Sequence, residues 1–340
     1  MDAIDSSFDN SPENKIKRKA LARRFMEDSS KMKKVVKSSS SLFIQFSATF
    51  SNPDTAKTYI KDISKFIMYL KVVHGDTGLN EVGDEIANEY RQFLSFCGGR
   101  DRKPMSEKSI NRSMSALSSF FKWLIRRTQI VTENPFSTVS RHKIAKESNT
   151  DYFTSEEAML ILKSTKSKTK SDKLHRALLF TMFSTGMRVS EIRNLTISSY
   201  CKKKKQLTGI ASKSKIGLLK KLPPKASEAL NAYLLVRSPQ TSDYENEPLF
   251  IHMRGSYALK PLGHKMISLI LNKYCELGGI EKNPHPHMIR YTFITNLIRA
   301  GVPLPDISDD VGHSSTDMTM RYYKKIARED RNLSESLSYL

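Results

Sequence analysis

HMIRYTFITNLIRAGVPLPDISDDVGHSSTDMTMRYY, residues 287 to 323, is the stretch on which the reading of this chain turns. It gathers His287, Arg290, His313, Tyr322 and Tyr323 within 37 residues. His287 and Arg290 lie three apart, so a helix places them on one face. Ile289, Phe293, Ile294, Leu297 and Ile298 give that helix an apolar side to seat on a core. Gly301 and Pro303 then stop it. A second short segment follows, Gly312-His313 breaks it, and a last element delivers the paired tyrosines. Basic groups that can hold a phosphate, beside a phenol that can attack one, suggest a chemistry. The same residues also fit an ordinary core and surface.

The rest of the composition weighs on that choice. A chain of 340 residues is long enough for two domains with proper cores. Its formal net charge of +21 attracts a polyanion, because each phosphate neutralised by Lys or Arg releases condensed counterions. Nucleic acid is therefore the expected partner. Cys97, Cys201 and Cys275 are scattered without metal-ligand spacing and read as reduced thiols of a cytoplasmic protein. No apolar run approaches the roughly 18 residues of a membrane span, and the N-terminus lacks a signal-peptide core, so no membrane partner is expected.

Upstream, residues 1 to 40 are polar, Ser-rich and basic, and read as a mobile arm. From Asn52-Pro53 the pattern turns helical, with Tyr59, Ile63, Phe66, Ile67 and Leu70 on one stripe. A second helix spans about residues 85 to 96. A third starts near Ser106 on the stripe Ile110, Met114, Leu117, Phe121 and Leu124. The opposite face of this third helix is basic and hydroxylic: Lys108, Arg112, Ser115, Ser119, Lys122 and Arg126. Such a face can lie along a DNA groove, or simply be solvated. Lys108, Ser109, Asn111, Arg112, Ser115 and Lys122 are the candidate DNA contacts. Residues 41 to 136 thus form an all-helical unit, and 137 to 150 a polar, basic linker.

A second unit, residues 151 to 328, opens with the capped start Thr154 to Glu157. An apolar helix over residues 174 to 184 ends at Thr185-Gly186. That end throws Arg188 into a turn within reach of Glu191, and a carboxylate there would fix the guanidinium plane. Leu207 to Ala211 and Leu218 to Leu222 read as a hairpin with lysines at its tip. Helices over 226 to 236 and 262 to 275, and a short strand over 249 to 252, precede the quoted stretch. Residues 329 to 340 form a tail whose leucines could dock on a neighbouring subunit or on their own domain. The expected fold is mainly α with a small β-sheet.

TGMRVSEIRNL at 185 to 195, SKIGLLKKLP at 214 to 223, HMIR at 287 to 290 and GHSSTDMTMRY at 312 to 322 resemble the successive signature boxes of the tyrosine recombinases, the Xer-like and phage-integrase family. Residues 106 to 136 also resemble that family's N-terminal core-binding domain. The resemblance covers about residues 42 to 328, and four boxes in the right order are far more specific than any one. It implies a SAM-like helical core-binding domain followed by an α+β catalytic domain. It further implies catalytic residues Arg188, Lys215, His287, Arg290, His313 and Tyr322, with Glu191 supporting Arg188. Lys215 lies eight residues before Pro223, as in the family, and Lys213 is its rival. Tyr323 is one place too far from His313 to match the nucleophile, and adjacent helical residues point about 100° apart.

The chemistry agrees with these assignments. A phosphodiester repels nucleophiles, so two arginines and two histidines around its nonbridging oxygens would stabilise a phosphorane-like transition state. A phenol with a free pKa near about 10 needs help losing its proton, and His287 is the candidate. The leaving 5′-oxygen needs a proton, which Lys215 could supply. A covalent 3′-phosphotyrosine keeps the bond energy for religation, so neither ATP nor a metal is required. The sequence departs from the family at Tyr291, often a second histidine, at Met318, commonly threonine, and at Lys324, frequently histidine. None of these changes removes a required group.

The resemblance implies a homo-tetramer on two double-stranded DNA sites, exchanging strands through a Holliday junction, with accessory proteins an open matter and a cytoplasmic, nucleoid-associated location. A type IB-like topoisomerase, a hairpin-forming resolvase and a non-catalytic DNA-binding protein are the alternatives.

Overall fold

The computed structural model describes residues 40–99, 103–143, 151–210, 217–237, 243–313 and 315–330. The chain divides into two units, residues 1–145 and 146–340. The N-terminal arm, the tail beyond residue 330 and the hairpin tip with Lys213 and Lys215 lie outside the described residues.

The first unit is helical: α1 (Ser40–Ser47), α2 (Pro53–Val73), α3 (Asp84–Cys97) and α4 (Glu107–Arg127). The Asn52 side chain caps α2 by accepting from the Asp54 amide at 2.9 Å, and Pro53, which has no N–H to satisfy, fills the first turn. Ser106 caps α4 by accepting from the Ser109 amide. The core is an aromatic cluster in which Phe66 meets Tyr90 at 4.9 Å and Phe136 at 5.1 Å, edge to face. Such pairs contribute about 0.5–1.5 kcal/mol each beyond their buried area. The short helix α1 is not apparent from periodicity. Its Phe43 and Phe46 are buried against Phe120, at 6.3 and 5.2 Å between ring centres, so tertiary contact supplies what eight residues of propensity cannot. Val139 is buried in the same core. His142 is held to α4 by Asn111, whose amide donates to the His142 carbonyl and accepts from its N–H, both at 2.9 Å. Part of the segment that reads as linker therefore packs on this unit.

The second unit contains α5 (Ser155–Ser164), α6 (Lys170–Thr185), α7 (Val189–Arg193), a sheet of β1 (Tyr200–Cys201), β2 (Gln206–Ile210) and β3 (Leu218–Lys221), then α8 (Pro224–Leu234), α9 (His264–Leu277), α10 (Pro286–Arg299), α11 (Leu304–Val311) and α12 (Thr316–Asp330). The mainly α architecture with a small sheet is as the sequence implies. The strands run in the order β1-β2-β3, both pairings antiparallel, which among the described residues leaves β3 at an edge.

Three elements differ from the sequence reading. Helix α6, expected from residue 174, begins at Lys170, because Thr169 and Asp172 form a reciprocal capping box there. Helix α8, expected over 226 to 236, starts earlier, with Pro224 in the first turn. The strand expected over 249 to 252 is only an isolated bridge between Ile251 and Pro261.

The apolar face of α10 is as anticipated in kind, with Ile289 and Ile294 buried. Ile289 joins the main core of the unit, whereas Ile294 joins Ile307 and Val311 of α11 in a smaller one that Tyr322 packs against. That second cluster sets the helix carrying Tyr322 beside the helix carrying Arg290.

Candidate active site

Helix α6 ends in Gly186, at φ +60°. A Cβ there would lie 2.4 Å from Phe293 Cδ1, so both the left-handed turn and the close approach require glycine. The turn releases the chain into Arg188, which precedes α7. Glu191 accepts from the Arg188 backbone N–H at 2.7 Å with one carboxylate oxygen and from Arg188 Nη1 at 2.8 Å with the other. One carboxylate thereby fixes both the start of α7 and the direction of the guanidinium.

Arg290 comes from α10 and is 2% exposed. Its Nη1 donates to the Gly186 carbonyl at 2.9 Å and its Nη2 to the Val311 carbonyl at 2.6 Å. Arg188 meets the same loop, donating to the carbonyls of Val311 at 3.4 Å and of Gly312 at 3.3 Å. Gly312 caps α11 in a left-handed turn at φ +63°. Segments distant in sequence are thus tied through the Val311–Gly312 backbone. Burial, and then the charge of Arg188, lowers Arg290 to about 10 from its ordinary 12.5.

His313 follows directly and is 4% exposed. Its Nδ1 is 2.8 Å from the Thr319 hydroxyl. When that hydroxyl donates, Nε2 carries the ring proton and can donate to an anion. Burial first, then the charges of Arg290 and Arg188, pushes His313 down to about 3, so the ring is neutral at physiological pH. His287 keeps an open edge to solvent at the start of α10. Crowding by protein atoms still desolvates its ring and, with Arg290, His285 and Arg188, holds its pKa below the usual 6.5.

Helix α12 brings in Tyr322. Its ring stacks on His313 with centres 6.0 Å apart and lies 4.7 Å from Tyr291, which in turn meets His287 edge to face at 5.0 Å. Burial, together with the adjacent Tyr291 phenol, raises the Tyr322 pKa well above 10, and Arg290 and Arg188 oppose that rise. Tyr323 is 37% exposed.

Of the sequence-predicted residues, Arg188, Glu191, His287, Arg290, His313 and Tyr322 therefore converge, while Lys215 lies outside the described residues. Thr319 escapes the sequence reading, although its place six residues after His313, on the helix that carries the tyrosines, is an available signal. Among the six candidate DNA contacts of α4, Lys108, Arg112, Ser115 and Lys122 are exposed. Arg112 pairs with Asp62 at 3.0 and 3.3 Å. Asn111 is committed to His142. Ser109 accepts from the Ser106 hydroxyl and Ser115 donates to the Asn111 carbonyl, both at 2.9 Å.

An all-helical unit followed by an α+β unit, whose last helix sets a tyrosine beside paired arginines, is the architecture of a tyrosine recombinase. The chain belongs to the phage integrase family: that family's model matches residues 151–329, and the model of the phage integrase N-terminal SAM-like domain matches residues 45–128. It is thus an enzyme of the tyrosine recombinase kind. It is 28% identical over 277 residues to the tyrosine recombinase XerC of Lacticaseibacillus casei, covering 80% of this chain and 88% of that one. Similarity to XerC of Bacillus subtilis is 29% over 296 residues, covering 84% and 91%. Among solved structures it resembles the Tn1549 transposon integrase in complex with transposon right end DNA, with a TM-score of 0.63 at 18% identity, over 83% of this chain and 93% of that one. It also resembles the site-specific recombinase XerH bound to its difH substrate, with a TM-score of 0.60 at 21% identity, over 78% and 75%. At these identities the structural likenesses speak for the fold.

Proposed function

We propose that this protein is a site-specific DNA recombinase that cleaves and rejoins DNA through a 3′-phosphotyrosyl intermediate and exchanges strands between two sites by way of a Holliday junction. The observation that carries the reading is the packing of Tyr322 against His313 beside Arg188 and Arg290. A scissile phosphate entering there meets two guanidiniums whose orientation is already fixed by Glu191 and three backbone carbonyls, so little reorganisation precedes reaction. His313 donates to a nonbridging oxygen. His287, neutral at physiological pH, helps take the Tyr322 proton as the phenol oxygen bonds to phosphorus. The bond to the 5′-oxygen breaks, and that oxygen takes a proton from Lys215. Religation runs the same steps in reverse with a different 5′-hydroxyl.

The homo-tetramer on two duplex sites is part of the same proposal. So are the assignment of the first unit as the core-binding domain, of residues 137 to 150 as linker and of the tail as a docking segment, and a place beside the DNA of the cytoplasm. The net charge of +21 supports a DNA partner. A nicked suicide duplex tests the chemistry: the protein should form a covalent adduct with it. Two differently labelled duplexes test the exchange: recombinant product is expected, and plasmid relaxation without it would assign the protein to the topoisomerases.

A further inference from the structure

Asp62 sits in the middle of α2 and is 4% exposed, although burying a carboxylate is costly unless it is paired. Its partner is Arg112 of α4, whose Nε donates to Asp62 Oδ2 at 3.0 Å and whose Nη2 donates to Oδ1 at 3.3 Å. Lys65, one turn further along α2, also lends Asp62 positive charge, but its ammonium donates to the Gly98 carbonyl. Two parallel bonds from a planar fork fix the guanidinium in both position and plane. The Arg112 side chain is nevertheless 47% exposed. Its inner edge is engaged by the carboxylate, and the outer edge, Nη1 beside the second N–H of Nη2, is open to a ligand.

That outer edge presents two donors side by side. Guanine offers two acceptors, N7 and O6, side by side on its major-groove edge, and a bidentate contact from a basic side chain to them is the commonest specific contact to DNA. A phosphate fits the same fork by shape but less well by charge. The Asp62 carboxylate already compensates the guanidinium and repels a second anion, whereas a base edge carries no net charge. The surrounding face of α4 divides the work accordingly. Lys108 and Lys122 are exposed on either side of Arg112 in sequence, and lie about 21 Å apart along the helix at 1.5 Å per residue. They can reach phosphates on both margins of a major groove about 12 Å wide, with Arg112 between them. Asn111, the other side chain here suited to a base edge, is turned to the His142 backbone.

We propose that Arg112 reads a guanine in the major groove of the recognition site, and that Asp62 is its positioning residue, holding the outer edge of the guanidinium towards N7 and O6. This rests on the reading of the first unit as the DNA-contacting core-binding domain.

The test uses the full chain and a library of duplexes with a randomised centre, selected for binding and sequenced. The wild-type protein should enrich a motif, and Arg112→Gln should enrich the same motif with one guanine position made indifferent. At that position wild-type affinity should favour guanine over the other bases by at least about fivefold. Replacing the guanine by 7-deazaguanine removes only the N7 acceptor, and should weaken wild-type binding while leaving Arg112→Gln unaffected. The wild-type half of that comparison needs no variant, so it stands even where a substitution harms folding. Asp62→Asn keeps the arginine and removes the negative charge. Its guanine preference should fall while its affinity for duplexes lacking the guanine stays level or rises, a pattern that general damage to the fold cannot produce.

A uniformly weaker but unchanged motif in Arg112→Gln would make the residue a phosphate contact and overturn the proposal. Full wild-type affinity for the 7-deazaguanine duplex would overturn it too. Undiminished preference in Asp62→Asn, or a loss of affinity on every duplex, would overturn the positioning role. If the wild-type protein enriches no motif, the DNA reading falls and the inference with it. If it enriches one that Arg112→Gln reproduces in full, only the inference falls.

Discussion

Arg290 donates to the carbonyl of Val311 at 2.6 Å, and through that bond a side chain on α10 fixes the loop that presents His313. In the proposed mechanism the arginine is at once a structural tie and a charge for the phosphate, so its removal should separate into two measurable losses. Arg290→Gln leaves the Gly186 and Val311 carbonyls under-satisfied and buried Glu191 with one cation fewer. Breaking a buried charge arrangement of this kind costs on the order of 3 kcal/mol, which urea denaturation should show. Adduct formation should fall at least about a hundredfold even where the variant is fully folded. Arg290→Lys keeps the charge but not the planar fork, and should recover more stability than activity.

The neutral histidines give a pH dependence with a definite sign. His313 is held at about 3 in the folded protein, against 6.5 for a free imidazole. Between those values the unfolded chain binds the proton and the folded one does not, so the contribution to stability is intact above about 6.5 and declines as pH falls towards 3. His287, shifted in the same direction, adds to the effect. Urea midpoints should drop between pH 7.5 and 5, and more weakly in His313→Gln. A bound phosphate counteracts the arginine charges, so DNA binding near pH 5.5 should take up protons. Calorimetry in buffers of different ionisation enthalpy measures that uptake, and a heat independent of buffer would contradict it.

Much of this is legible in the sequence because it depends on local spacing. His287 and Arg290 on one helix, Glu191 three residues beyond Arg188, and the glycine turns at 186 and 312 follow from backbone rules that act within a few residues. What escapes depends on distant partners. Helix α1 exists because Phe46 meets Phe120, and no pattern within eight residues reports that. Thr319 matters through His313, and Asp62 through Arg112 on a helix 50 residues downstream. The start of α6 is hidden for another reason: its Thr169 and Asp172 cap lies among lysines and serines whose composition suggests a loop.

The adjacent tyrosines should behave differently. Tyr322 stacks on His313 and packs on Tyr291, whereas Tyr323 is 37% exposed. Tyr322→Phe should abolish the covalent adduct on a suicide duplex while leaving non-covalent DNA affinity within about twofold, since removing one neutral hydroxyl changes affinity far less than removing the nucleophile changes rate. Tyr323→Phe should retain the adduct. The reverse pattern would move the nucleophile by one residue.

The basic face of α4 divides into residues open to phosphate and residues already engaged. Lys108 and Lys122 are exposed, and each phosphate left without its lysine should reduce the log-log salt slope of DNA affinity by about 0.9. Lys108→Ala and Lys122→Ala should therefore each flatten that slope by about one unit, with stability unchanged. Asn111→Ala should do the opposite. It removes both bonds to the His142 backbone, at about 1 kcal/mol each, and leaves the salt slope alone. Arg112 falls between the two, because its removal takes from nearly buried Asp62 its ion-pair partner. Its alanine variant should lose stability and salt slope together. Equilibrium urea unfolding and fluorescence-anisotropy titrations from about 50 to 200 mM salt, on these alanine variants, separate the outcomes. A flat salt dependence in the wild-type protein would remove the basis for assigning this face to DNA.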